Sequence, residues 1–287
     1  MASVYLNGEF LPPERAMVPV MDRGYLFGDG VYEVIPAYGG RPFRLEPHLQ
    51  RLTDSLNAVR IPAPMNDAQW RGVLEELLRR NPGEDQSIYL QVTRGVAPKR
   101  DHGFDASLVP GVFAMVNAIA AADPVVARDG VKAVVLDDIR WQACHIKAIT
   151  LLPNVLLRQQ AIDAGAVEAI LIKDGHATEG AASNLFIVRG GVLITPPKGP
   201  RLLPGITRDL ILELAAEQAI AYREAEISAA DLGLADEIWL TSSTKEILPV
   251  TTLDSTPVAD GRPGPLYRRM SALYRAYKEQ VRLGAAA

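Results

Sequence analysis

Val31-Tyr32-Glu33-Val34-Ile35-Pro36-Ala37-Tyr38-Gly39-Gly40-Arg41-Pro42-Phe43 mixes β-branched and aromatic residues and then meets two glycines. It reads as a β-hairpin that turns at Gly39-Gly40 and continues into Phe43. Working outward, Val4-Tyr5-Leu6, Asn7-Gly8 and Glu9-Phe10 form a shorter hairpin, because Asn-Gly tolerates the positive φ angles of a tight turn. Downstream, Leu49, Leu52 and Leu56 recur at helical spacing within His48 to Val59. Trp70, Val73, Leu74, Leu77 and Leu78 do the same on a helix that Asn66 or Asp67 can cap. Strand-like runs at Ile88 to Thr93 and Val112 to Val116 bracket the polar segment Gly95 to Pro110, a long loop of the kind that often carries function.

The small-residue stretch Ala118 to Pro124 reads as a linker, giving an N-terminal domain over 1–117, the linker over 118–124 and a C-terminal domain over 125–287. In the latter we expect strands at Val131 to Leu136, Glu168 to Ile172 and Ile238 to Thr241, and a hairpin at Leu185 to Thr195 turning at Gly190-Gly191. Helices are expected from about Asn154 to Ala164, over Ile206 to Gln218 and over Leu266 to Val281. Frequent hairpins without a regular βαβ rhythm favour a two-domain α+β protein over a doubly wound sheet.

Hydrophobic residues make up 48% and charged residues 22% of the 287, as in a folded globular protein. A net charge of −4 creates no basic field for a nucleic-acid backbone, so nucleic acid is not an expected partner. The lone cysteine, Cys144, allows neither an intramolecular disulfide nor a cysteine-based metal cluster, and no metal is expected. With no signal-like start and no apolar run near the roughly 18–20 residues that cross a bilayer, a soluble cytoplasmic enzyme without membrane attachment is expected.

Taken singly, the candidate chemical residues have plain structural readings. Lys147 lies in Cys144-His145-Ile146-Lys147-Ala148-Ile149. A lysine among apolar neighbours usually snorkels to the surface, but desolvation also makes the amine a nucleophile able to form a Schiff base. Glu179, in Thr178-Glu179-Gly180, reads alone as an exposed turn carboxylate. Gly205-Ile206-Thr207 opens a helix, where free N–H groups and the helix dipole can hold a phosphate. Thr241-Ser242-Ser243-Thr244 offers hydroxyls after a strand, for capping or for phosphate.

Their order is more informative. Arg23-Gly24-Tyr25-Leu26-Phe27-Gly28-Asp29-Gly30-Val31-Tyr32-Glu33 closely resembles the opening motif of fold type IV pyridoxal-phosphate (PLP) enzymes. Lys147 with Asn154, Thr178-Glu179-Gly180 with Ser183-Asn184-Leu185-Phe186, Gly205-Ile206-Thr207-Arg208 and Thr241-Ser242-Ser243 then follow in that family's order. The resemblance implies a small N-terminal α/β domain and a larger C-terminal pseudo-barrel domain. It implies pyridoxal 5'-phosphate as cofactor, carried by Lys147 as an internal aldimine, with Lys147 also shuttling a proton between Cα and C4′. It further implies that Glu179 pairs with the pyridine nitrogen. The phosphate is expected on Ile206, Thr207, the Ser242-Ser243 hydroxyls and Arg51, whose guanidinium suits an anion.

Within the family, Thr93-Arg94-Gly95-Val96-Ala97-Pro98-Lys99-Arg100-Asp101-His102-Gly103-Phe104 resembles the loop that gives D-amino acid transaminases an Arg-x-His carboxylate clamp. Arg100, His102 and Tyr32 match the carboxylate-binding residues, although the loop is one residue longer, with Lys99 before Arg100. The resemblance thus implies a homodimer acting on small amino and keto acids, with this loop reaching the neighbouring subunit's site. D-alanine is the expected donor and 2-oxoglutarate the acceptor, in ping-pong half-reactions through pyridoxamine phosphate. An L-branched-chain aminotransferase and an aminodeoxychorismate-lyase-like enzyme remain alternatives on the same scaffold.

Overall fold

The computed structural model describes residues 3–285. The chain divides into two compact units with a boundary between Ala120 and Ala121. The units are not contiguous in sequence. Ile146–Leu151, which carries Lys147, and the segment from Lys278 belong to the first unit, whereas a linear division assigns both to the second. The reason is backbone pairing: Tyr32 N donates to Lys147 O and Ile149 N to Gly30 O, so this segment is stitched to a strand of the first unit.

In the first unit, six strands among the described residues form one sheet: β1 (Val4–Leu6), β2 (Glu9–Leu11), β3 (Gly30–Tyr38), β4 (Arg41–Pro42), β5 (Asp85–Thr93) and β6 (Gly111–Ala118). Their order is β2-β1-β6-β5-β3-β4, antiparallel throughout. Asn7 and Gly8, then Gly39 and Gly40, take the positive φ that the two expected hairpin turns require. The unit also contains α1 (Arg23–Phe27), α2 (Leu45–Ala58) and α3 (Asp67–Arg80). Asn66 caps α3 in a reciprocal capping box with Gln69. Val31, Ile35, Ile88, Leu90 and Val92 of the sheet pack against Leu49, Leu52 and Leu56 of α2 and Trp70, Leu74 and Leu77 of α3. Residues 95–110 form the expected long loop.

The second unit carries α4 (Pro124–Asp129), β7 (Val131–Asp137), α5 (Leu152–Asp163), β8 (Glu168–Lys173), β9 (His176–Gly180), β10 (Asn184–Arg189) and β11 (Val192–Thr195). It continues through α6 (Ile206–Glu217), β12 (Tyr222–Glu224), β13 (Ile227–Ser228), α7 (Ala229–Leu232), β14 (Glu237–Ser242), β15 (Glu246–Leu253) and β16 (Thr256–Pro257) into α8 (Pro265–Leu283). The sheet order is β12-β11-β10-β14-β15-β7-β8-β9-β13, with β16 on β15. Parallel pairs, β7 with β8 among them, mix with antiparallel hairpins, so the chain is α+β as expected. Leu157 and Ala161 of α5 pack on Val134, Ala169 and Leu171, while Ile170, Leu185, Ile187, Ile238 and Leu240 belong to a separate apolar cluster. Among the strands that escape a sequence reading, β9 and β15 have plain reasons. β9 looks like a polar turn, and β15 is interrupted by Pro249, next to the place where its register against β7 shifts.

Candidate active site

Lys147 sits in an irregular segment that pairs locally with β3. Its backbone N–H donates to Ser55 Oγ at 3.2 Å, and Ala148 makes a bridge with Val31. The half-buried Lys147 side chain brings Nζ 4.2 Å from the Tyr32 ring centroid, a cation–π distance. Tyr32 lies 5.7 Å from the Tyr89 ring, centroid to centroid.

Strand alternation puts Glu33 on the same face of β3 as Val31 and Ile35, pointing an acid into apolar packing. Helix α2 answers it with polar residues at helical spacing, His48, Arg51 and Ser55. Arg51 Nε and Nη2 each donate to Glu33 at 2.8 Å, and His48 Nδ1 lies 2.7 Å from Glu33 Oε2. Burial opposes ionisation of Glu33, but Arg51 and then His48 outweigh it and hold the carboxyl well below the usual carboxylate range. Burial lowers the His48 pKa, against the pull of Glu33. The expected phosphate ligand Arg51 is therefore anchored on two of its nitrogens by an acid that the sequence reading passed over.

The Arg100–His102 loop is held from α1. Arg23, buried, donates from Nη1 to Asp101 O and Gly103 O and from Nη2 to His102 O, at 2.6, 3.2 and 3.1 Å. Arg100 and His102 themselves are exposed. Both flank Phe27: the Arg100 guanidinium carbon is 4.9 Å from its centroid and the His102 ring 5.4 Å.

In the second unit Glu179 is not an exposed turn residue. It lies in β9 and is buried. Its Oε1 accepts from Arg140 Nη1 at 2.5 Å, and its Oε2 from Asn184 Nδ2 at 3.0 Å and Leu203 N at 3.1 Å. Arg140 also binds Asp138 through Nε and Nη2, so one guanidinium serves two carboxylates. Burial pushes Glu179 up to about 7, only partly countered by Arg140. Asn184 additionally donates to Leu203 O at 2.8 Å, which ties Glu179 to the approach of α6. A side chain at Gly205, the N-cap of α6, would meet Asn184 Oδ1 at 1.8 Å and would have to displace that amide. Gly205 supplies no side-chain cap to Ile206 and Thr207, both buried at the helix start. Ser242 and Ser243, half-buried, follow Thr241, whose buried Oγ1 has no hydrogen-bond partner among the described residues. Arg208, the last residue of that sequence motif, is fully buried and binds Glu224 and Pro196 O.

Sequence reasoning overlooked Asp138, Arg140 and the role of Asn184. A visible signal was the charged step Asp137-Asp138-Ile139-Arg140 directly after an apolar strand.

The donor set suits PLP. In the first unit Lys147 offers an amine able to react with its aldehyde; in the second an uncapped helix start and hydroxyls suit its phosphate. The Glu179 carboxylate accepts three hydrogen bonds among the described residues, which leaves one of its four lone-pair sites for a donor such as a ring N–H. Two buried acids against one buried arginine also leave a cation's worth of charge unmatched, which a protonated ring nitrogen can supply.

Comparison with known proteins agrees. The family model for amino-transferase class IV matches residues 30–253. The chain is 40% identical over 267 residues to the D-alanine aminotransferase of Bacillus licheniformis, covering 93% of this chain and 94% of that protein. It is 37% identical over 284 residues to the D-alanine aminotransferase of Listeria monocytogenes, covering 97% and 96%. Among solved structures, the branched-chain amino acid aminotransferase of Escherichia coli superposes with a TM-score of 0.89 at 31% identity, covering 96% of this chain and 93% of that one. The branched-chain amino acid aminotransferase of Thermoproteus uzoniensis with norvaline gives 0.87 at 27%, covering 96% and 94%. A further branched-chain amino acid aminotransferase, solved with pyridoxamine 5'-phosphate, gives 0.88 at 26%, with the same coverage of 96% and 94%. The chain belongs to the class IV aminotransferases. It is accordingly a PLP-dependent aminotransferase of fold type IV.

Proposed function

We propose that this aminotransferase moves the amino group of D-amino acids of the D-alanine type onto 2-oxoglutarate in alternating half-reactions, with Lys147 Nζ as the attachment point of the cofactor. Bound PLP supplies an electron-withdrawing ring that takes up the electron pair released when a Cα proton leaves. With PLP bound, Lys147 Nζ would be the base that takes up the substrate's Cα proton and gives it back. Glu179 holds the proton on the ring nitrogen, and its buried contact with Arg140 keeps it oriented. The amides of Ile206 and Thr207, the hydroxyls of Ser242 and Ser243 and the guanidinium of Arg51 bind the phosphate. Arg100, His102 and Tyr32 bind the substrate α-carboxylate, which decides the face on which Cα–H meets the lysine.

The observation that carries the D-substrate reading is the Arg100–His102 pair on one anchored loop, in a chain similar to D-alanine aminotransferases. One assay tests it: purified protein with 2-oxoglutarate and either D-alanine or L-leucine, following the keto acids. Pyruvate from D-alanine is expected. The likeness to branched-chain enzymes favours L-leucine as the second reading, and turnover of L-leucine with none of D-alanine would overturn the substrate while sparing the cofactor. In Lys147→Ala the cofactor's near-visible absorbance band should disappear and activity fall at least ~1000-fold, as for loss of a covalent and proton-transfer group. An unchanged spectrum would move the attachment to another lysine.

A homodimer is part of the same reading. Val18, Tyr25, Val96 and Val109 are exposed apolar residues lining one cleft of about 920 Å³ in the first unit, and a second copy is the natural cover for it. The single, buried cysteine suits a reducing cytoplasm. Among the described residues no helix is long and apolar enough to cross a membrane.

A further inference from the structure

The segment of the first unit that carries Arg100 and His102 has no secondary structure of its own, so something else must fix it. Three features converge on that task. Arg23 places its Nη1 and Nη2 donors on three consecutive carbonyls, Asp101, His102 and Gly103, while its Nε donates to Asp29 Oδ2 at 2.8 Å. Arg94, also buried, takes the same carboxylate from the other side, Nε to Oδ2 at 2.8 Å and Nη2 to Oδ1 at 2.9 Å. The Arg94 guanidinium then lies 3.7 Å from the Phe104 ring centroid, at the far end of the segment. Arg94 is itself pinned by bonds to Val59 O and Arg60 O. One turn along α1 from Arg23, Phe27 lies within aromatic range of both the Arg100 guanidinium and the His102 ring. A single short helix thus meets the loop twice, at its backbone and at its two functional side chains.

From this juxtaposition we infer that Arg23 and Phe27 are the positioning residues of the carboxylate clamp: Arg23 sets the path of the loop backbone and Phe27 the spacing of Arg100 from His102. The inference rests on the proposed role of Arg100 and His102. A lysine cannot replace Arg23, because a point ammonium lacks the planar fork that reaches three carbonyls and one carboxylate together. Neither residue touches the amine or the cofactor in this scheme, so the effect belongs to substrate carboxylate binding.

The test uses the holoenzyme with D-alanine and 2-oxoglutarate, comparing Arg100→Ala, Arg23→Lys and Phe27→Leu. Each should raise KM for D-alanine about tenfold or more, as for loss of a charged hydrogen bond or its alignment, with a smaller fall in kcat. The cofactor absorbance band should persist in all three. Hydrogen exchange at the amides of residues 101–104 should quicken in Arg23→Lys and stay as in the parent in Arg100→Ala. If Arg100→Ala leaves KM unchanged, the carboxylate role itself fails. If Arg100→Ala raises KM while both Arg23→Lys and Phe27→Leu behave as the parent, in kinetics and in exchange, the positioning roles of Arg23 and Phe27 are overturned and the role of Arg100 stands.

Discussion

Each unit buries an acid against an arginine, and the pKa values of the two acids move in opposite directions. Glu33 has Arg51 on a two-point fork with His48 beside it, and its carboxyl is held well below the usual range. Glu179 shares the single cation Arg140 with Asp138 and is pushed up to about 7 by burial. Burial is nearly complete in both, so depth does not separate them. The balance of charge does. Low dielectric raises the cost of any unmatched charge, and the second cluster holds one acid more than it has cations. For a structural pair a closed balance is the stable arrangement. An open balance leaves a buried acid able to accept a further cation.

The comparison breaks most visibly at Glu33. Glu33→Ala removes both oxygens reached by Arg51 Nε and Nη2, and should cost roughly 3–5 kcal/mol in urea unfolding, the usual penalty for breaking a buried pair. A cost within about 1 kcal/mol of zero would mean that Arg51 re-anchors at once and that the closed cluster is not structural.

Glu179→Gln gives a smaller and pH-dependent effect. The folded carboxyl titrates near 7, above the ordinary value of 4.5, so ionising it in the cofactor-free fold is unfavourable. That cost is absent below about pH 4.5, grows through the interval and is complete above about 7. Cofactor-free wild type should therefore lose stability relative to Glu179→Gln as pH rises from 4.5 to 7, by roughly 1–3 kcal/mol. Saturating PLP should flatten this difference if its ring nitrogen pairs with Glu179 as proposed. A gap that does not vary with pH would show that Arg140 already balances both acids.

The smallest effect belongs to a half-open trio, Asp85 with Lys278 and Arg282, where water screens the charges. Asp85→Asn should shift stability by about 0.5 kcal/mol, measurable as a midpoint change in urea. A change as large as that at Glu33 would undo the argument that enclosure in low dielectric gives charge balance its weight.

Local chemistry made much of this protein legible from its residues. The Asn7-Gly8, Gly39-Gly40 and Gly190-Gly191 turns, the apolar spacing of α2, α3 and α6 and the Asn66 cap all appear where neighbouring side chains demand them. Strand β15 was hidden because Pro249 stands inside it and proline ordinarily marks the end of a ladder. β9 was hidden because His176 to Gly180 has the polarity of a loop, although most of it is buried.

The order of motifs, too, was written in the chain: a lysine, a Thr-Glu-Gly step, a helix start and a hydroxyl cluster in a row. What the tertiary structure alone decided is which charge faces which. Arg51 meets Glu33 across 18 residues, Arg140 meets Glu179 across 39, Arg94 meets Asp29 across 65 and Arg23 meets the Asp101 carbonyl across 78. Turns and helix periods arise from dihedral preferences of adjacent residues, so sequence carries them directly. Charge balance in a buried cluster arises only when distant segments are brought together out of water, where one cation more or less changes the protonation of an acid.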